Sequence, residues 1–252
     1  MILFILLFFH IFFVEANQRE TLIFIDKSES VKYMGLILER AKSEMEEIIV
    51  QRFYKGNDGI KVYFIHGNTS ASKPSQTYKV LPPNCDAKLP SLKKQLCLSN
   101  YQKELNKKRK IVLDSLVKTL QLEASNQTKN STDIFGAIET ACIQKKMMLK
   151  SKNNADLDVH IFSDMIQTSS SINLKNIGQL SLSNVRIKVD NDLKVVRNNY
   201  LNLNKIYLEG IIVHVRTPEL GINNPAYMKN LRFYWEEILE KLGVEESNIF
   251  WD

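Results

Sequence analysis

The sequence predicts an α/β fold, a doubly wound, mostly parallel central sheet with helices on both faces. Three observations carry that expectation. Short apolar runs at 21–25, 60–66, 158–163 and 210–216 have the length and the Ile, Val and Phe content of buried parallel strands. Stretches with apolar residues at helical spacing separate them, giving the order β-α-β-α-α-β-(α)-β-α. Two of the runs stop at a carboxylate, Asp26 and Asp164. In open α/β sheets, ligands bind just beyond the carboxyl ends of the strands.

The chain has 252 residues, 44% hydrophobic and 25% charged, with nine glycines and six prolines. That composition excludes collagen-like and low-complexity readings and suits one domain over residues 20–252. The net charge of +6 favours acidic partners or surfaces without identifying them. Residues 1–16 are a different kind of segment. Their apolar run is too short for a comfortable membrane span, and Val14 and Ala16 suit a leader cleavage site. A signal peptide over 1–16 is expected, an uncleaved anchor being the alternative. No second hydrophobic span follows, so the mature chain is expected to be periplasmic or secreted, without a membrane span. Export makes the cysteines interpretable. Cys85 and Cys97 flank one short segment and are expected to pair as a disulfide. Cys142, beside Ala141 in a helical pattern, reads as a small buried hydrophobe. Scattered histidines and the lack of a Cys-x-x-Cys pair argue against zinc.

In chain order, 21–25 is the first strand and 31–53 a helix capped by Ser30, with Met45, Ile48 and Ile49 on its apolar face. A turn at 57–59 leads to the strand at 60–66. Residues 67–100 read as a long, proline-bearing insertion with a short helix near Leu92. The helix over 101–122 turns Leu105, Ile111, Val112, Leu116 and Leu120 inward. Its outward face carries Lys103, Lys107, Lys108, Arg109, Lys110 and Lys118. A polar loop follows, then a helix starting near Asp133, with Ser131 or Thr132 as its cap. After the strand at 158–163, residues 169–189 suggest a short helix and an edge strand at 185–189, and 192–203 another helix. The strand at 210–216 and a helix at 224–242, with Pro225 in its first turn, close the chain.

Three strand-end or loop elements bear on function. They are Asp26-x-Ser28-x-Ser30, Ser131-Thr132-Asp133 and Ser163-Asp164. Together, in this order and context, they resemble the von Willebrand factor A (vWA) domain and its metal-ion-dependent adhesion site, MIDAS. The resemblance spans roughly 20–242. It implies a metal site of Asp26, Ser28, Ser30, Thr132 and Asp164, with the three hydroxyls bound directly and the two aspartates acting largely through water. The implied ion is Mg2+, or Mn2+ or Ca2+. Magnesium takes an octahedron of hard oxygens at about 2.0–2.1 Å. Neutral direct ligands keep the ion electrophilic, so that a partner's carboxylate completes its sphere. Two features depart from the family pattern. The insertion lengthens the interval from Asp26 to Thr132 to 106 residues and is expected at the end opposite the metal. Met165 stands where relatives often have glycine nearby, and is expected to shape the rim.

The function that follows is an exported vWA-like binding module capturing an Asp or Glu side chain of a protein ligand, and not an enzyme. A metal-independent structural subunit of an envelope or surface assembly, acting through the basic helix, is the alternative. A metal-dependent phosphoester hydrolase ranks last, because no general base, nucleophile or phosphate-cradling loop accompanies the carboxylates. Nucleic acid is disfavoured, since the basic helix lacks interleaved aromatics.

Overall fold

The structure is a computed structural model. It describes residues 19–27, 34–52, 58–69, 73–86, 88–124, 131–151, 156–169, 171–217 and 225–251. The expected leader at 1–16, Ser28 and Ser30 lie outside the described residues.

Six strands form one sheet: β1 (Arg19–Asp26), β2 (Gly59–Ile65), β3 (Gln76–Lys79), β4 (Asp156–Phe162), β5 (Ile211–Arg216) and β6 (Ile249–Trp251). Their order is β3-β2-β1-β4-β5-β6. Every pair is parallel except β2 with β3. The helices are α1 (Met34–Arg52), α2 (Ser91–Ala124), α3 (Ile134–Lys150), α4 (Leu182–Asn199), α5 (Lys205–Leu208) and α6 (Pro225–Leu242). The predicted fold class is the observed one.

Central β1 shows why its run is continuously apolar: both faces are covered. Leu22 and Phe24 enter one core, with residues of α3, α4 and α6 that include Phe135, Val189 and Trp235. Ile23 and Ile25 enter the other, with Met45, Ile48 and Ile49 of α1 and Leu105, Val112, Leu116 and Leu120 of α2. In the first core the rings of Phe135 and Trp235 pack 4.9 Å apart, and the Tyr234 hydroxyl donates to Asp192 Oδ2 at 2.8 Å. Burial puts the Tyr234 hydroxyl far above its ordinary range, with the Asp192 carboxylate adding to the effect.

The structure corrects several sequence expectations. The segment at 185–189 is helix, not edge strand. Val185, Val189 and Val196 fall at helical spacing toward the core, and burial of that stripe outweighs the strand preference of valine. Helix α2 begins at Ser91, so the insertion supplies an edge strand and the first turns of a long helix. Ile111 is 64% exposed and does not face the core. Strand β6 was not expected at all; three residues are too few to show a period. Because β2 runs parallel to β1, the insertion opens at the Asp26 end of the sheet, and only its later part lies at the opposite end.

The Cys85–Cys97 disulfide is present and Cys142 is buried, its thiol donating to the Asn202 carbonyl at 2.8 Å. Among the described residues no helix is long and apolar enough to cross a membrane.

Candidate functional site

Asp26 is the last residue of β1 and fully buried. Parallel pairing sets Ile25 against Phe162, so the next residues, Asp26 and Ser163, leave adjacent strands side by side. The Ser163 hydroxyl donates to Asp26 Oδ2 at 2.6 Å and accepts the Met165 N–H at 2.9 Å. Asp164, also buried, accepts the Ile166 N–H on Oδ1 at 2.9 Å. Lys27 turns aside, since successive side chains leaving a strand point to opposite sides. Its ammonium pairs with Glu123 of α2 at 2.8 Å and lies 5.6 Å from the centre of the Phe64 ring.

Met165 is not at the rim. Its φ is +58°, the left-handed region that glycine adopts freely, yet its side chain is fully buried in the core. The Trp235 indole donates to its carbonyl at 2.9 Å and helps hold that backbone in place. A glycine-like conformation is thus kept at the carboxylate turn by an anchored methionine.

The loop after Asp164 reaches across to Thr132. The Thr132 N–H donates to Thr168 Oγ1 at 2.9 Å, and the Thr168 N–H donates to the Thr132 carbonyl at 3.2 Å. Gln167, fully buried, accepts the Ile134 N–H at 2.7 Å through Oε1. Thr132 is therefore fixed by its backbone, and its side chain is left over. Its Oγ1 is buried and has no hydrogen-bond partner among the described residues.

Asp133, not Ser131 or Thr132, caps α3. Its Oδ1 accepts the Gly136 N–H at 2.9 Å and the Tyr200 hydroxyl at 2.6 Å, and its Oδ2 accepts the Thr69 N–H at 3.0 Å. Three donors occupy this carboxylate, so it acts as a structural hub joining the ends of β2, α3 and α4. Burial and the Asp133 charge raise the Tyr200 hydroxyl well above its usual range. Gly67 lies so close to Ser131 Oγ that a Cβ there would clash, and this lets the β2 turn abut the threonine loop. His66, at the end of β2, is held below its ordinary pKa by burial and by Lys27, with Asp133 opposing. Its Nδ1 accepts the Asn68 N–H at 3.2 Å, which fits the neutral ring.

The structure thus places Asp26 and Asp164 on neighbouring strand ends and ties Thr132 to the loop that follows Asp164. Ser28 and Ser30 lie outside the described residues. The donors present are all hard oxygens, which suits magnesium or calcium. Among the described residues no three of His, Cys, Asp and Glu converge on one point. Burial and then the Asp164 charge push the Tyr227 hydroxyl up to about 12. Sequence reading missed the parts played by Ser163, Gln167 and Thr168. A serine beside the strand-end aspartate was the visible signal for the first; the other two depend on long-range contacts.

A groove of about 630 Å3 opens elsewhere, between α1 and α2, lined by Lys42, Ile49, Val50, Arg109 and Leu113. It is a seam between two helices, and none of its lining residues belongs to the strand-end cluster.

No protein-family model matches the chain, and no curated protein matches it. Among solved structures, proximal thread matrix protein 1 from the mussel byssus aligns with a TM-score of 0.38 at 10% identity, over 94% of this chain and 44% of that one. This chain therefore spans less than half the length of that structure, and a likeness of that degree carries no argument about function.

Proposed function

We propose that the protein is an exported vWA-like binding module that holds a divalent cation and uses it to capture a carboxylate of a protein partner. Asp26, Ser28, Ser30, Thr132 and Asp164 would hold the ion, Mg2+ or else Mn2+ or Ca2+. When bound, the ion would supply an electrophilic centre for a partner's Asp or Glu side chain.

The observation that carries this reading is the Thr132 hydroxyl. A buried hydroxyl without a partner costs about 1–3 kcal/mol, and Thr132 Oγ1 is buried and unpartnered among the described residues. It lies on a loop pinned to the turn that carries Asp164. A cation would satisfy that oxygen. Binding is favoured over turnover because Asp133, the carboxylate next to Thr132 in the chain, is already engaged by three donors. The disulfide suits an oxidising compartment, in line with export.

Calorimetric titration of the purified chain with MgCl2 or MnCl2 tests the proposal. Saturable heat is expected, lost in Thr132→Val and in Asp26→Ala. An acidic peptide should bind only with the ion present, and chelator should release it. Absence of heat from every divalent ion, or equal peptide binding with and without chelator, overturns the reading.

A further inference from the structure

The insertion and α2 hold a feature that the strand-end site does not use. With 34 residues at 1.5 Å each, α2 is about 51 Å long. Only its part from Leu105 to Leu120 contributes fully buried side chains to the core. Residues 91–100 extend past that core, with Tyr101 packed at its edge. They are held by the Cys85–Cys97 disulfide and by the Tyr101 hydroxyl, which donates to the Leu81 carbonyl at 3.1 Å. On this arm Leu92 is 77% exposed, Leu96 63% and Leu81 65%.

Leu92 and Leu96 are one turn apart and share a helix face. Lys103 and Lys107 follow each of them by eleven residues, three helical turns, so the lysines continue the same outward stripe. Charge is concentrated here as well. Residues 79–111 hold nine basic and two acidic residues, a net +7, where the whole chain carries +6. The positive charge of the protein thus resides in this arm and the helix behind it. One of the two acids, Glu104, is paired with Lys107 at 2.8 Å.

We propose that the arm docks on an anionic lipid surface, with Leu81, Leu92 and Leu96 entering the interface and the lysines meeting the headgroups. Exposed leucines on a lysine-rich helix are the pattern of interfacial binding, in which apolar burial and attraction to anionic lipid act together. Lysine suits this partner because it is a compact point charge on a long stem that follows the interface. An acidic protein would use the same charge but give the three leucines no apolar environment unless it also offered a pocket. The arm lies at the opposite end of the sheet from Asp26, so docking would leave the strand-end cluster facing away from the surface.

The test uses the full chain carrying Leu92→Cys labelled with an environment-sensitive fluorophore. Cys142 is buried and should not react. A label on the arm also separates its insertion from any binding by the apolar residues 1–16. Phosphatidylserine–phosphatidylcholine vesicles should shift the emission to the blue, and phosphatidylcholine vesicles should not. Lys103→Glu with Lys107→Glu should weaken partition at least tenfold, since each lysine near such a surface contributes roughly a fivefold effect. These residues are exposed, and an unchanged circular dichroism spectrum checks the fold of the variant. A label that stays in water on both vesicles overturns the proposal, as does equal partition onto both. Saturable binding of soluble poly-glutamate without any lipid response overturns it in favour of an acidic protein.

Discussion

Thr132 separates two accounts of the strand-end cluster at the scale of one atom. Replacing it by valine keeps the shape and removes the hydroxyl. If no ion binds there, valine is neutral or stabilising, because a buried oxygen without a partner among the described residues is lost. With an ion, the variant should lose the rise in melting temperature that magnesium gives the parent. Thermal melts with MgCl2 and with chelator make the comparison. Asp133 predicts the reverse pattern. Asp133→Ala removes the cap of α3 and leaves the Tyr200 hydroxyl and the Thr69 N–H without their acceptor, at a cost of about 2–4 kcal/mol whether or not magnesium is present. Urea denaturation of the two variants measures both effects. Met165 sets two terms against each other. Glycine there relieves about 1–2 kcal/mol of left-handed strain, but emptying a fully buried site costs about 2–5 kcal/mol. Met165→Gly should therefore destabilise the protein. His66 gives the pH dependence. Its folded pKa lies below the ordinary 6.5, through burial first and Lys27 second. The unfolded chain then binds the proton more readily, so this contribution to stability is complete above pH 6.5 and lost as pH falls through the folded pKa. Melting temperature should drop over that window, and less so in His66→Gln.

At the scale of elements, the two parts of α2 are held by different means. From Leu105 onward, buried side chains fix the helix to the sheet, and Leu116→Ala should cost about 2–5 kcal/mol. Before Leu105 the tethers among the described residues are the disulfide, the half-buried Tyr101 ring against the core and the hydrogen bond from its hydroxyl. Reduction should therefore speed amide exchange at 91–104 while leaving 112–120 protected, read by hydrogen exchange with and without reductant. Uniform loss of protection along the helix would contradict this division. The same contrast explains which elements could be read from the sequence. Helix α6 was legible because Leu231, Trp235, Ile238 and Leu242 mark one buried face. The start of α2 was read only as a separate short helix near Leu92, since 91–100 buries little and so leaves its continuity with the helix at 101–122 unmarked. Helix α4 was misread in its first half because Val185, Ile187 and Val189 alternate and carry the local preference of a strand, and only burial of Val185 and Val189 with Ile187 exposed shows the spacing to be helical.

Across the whole molecule, what was legible of the candidate site followed a rule about strand ends. Asp26 and Asp164 could each be placed at a strand end from the sequence, the end at which open α/β sheets bind ligands, whereas the adjacency of the two strands shows only in the structure. The hydrogen bonds that fix the turns, from the Ile134 N–H to Gln167 and from the Thr132 N–H to Thr168, join loops more than thirty residues apart and leave no local trace. Nor does strand order follow from periodicity, and strand order decides that the insertion opens beside the site. The topology also predicts independence. The strand-end cluster and the basic arm lie at opposite ends of the sheet, with the packed stretch of α2 between Leu105 and Leu120 and the paired strands β1 and β2 between them, and separated sites with no shared partner contribute additively. Lys103→Glu with Lys107→Glu should leave the magnesium-induced melting shift within about 0.5 kcal/mol of the parent, and Thr132→Val should leave vesicle partition unchanged. The triple variant should then show the sum of the two separate losses. A lasting deviation from additivity would mean that α2 transmits a change between its ends, with the ion pair of Lys27 and Glu123 as the contact through which the strand-end turn reaches that helix.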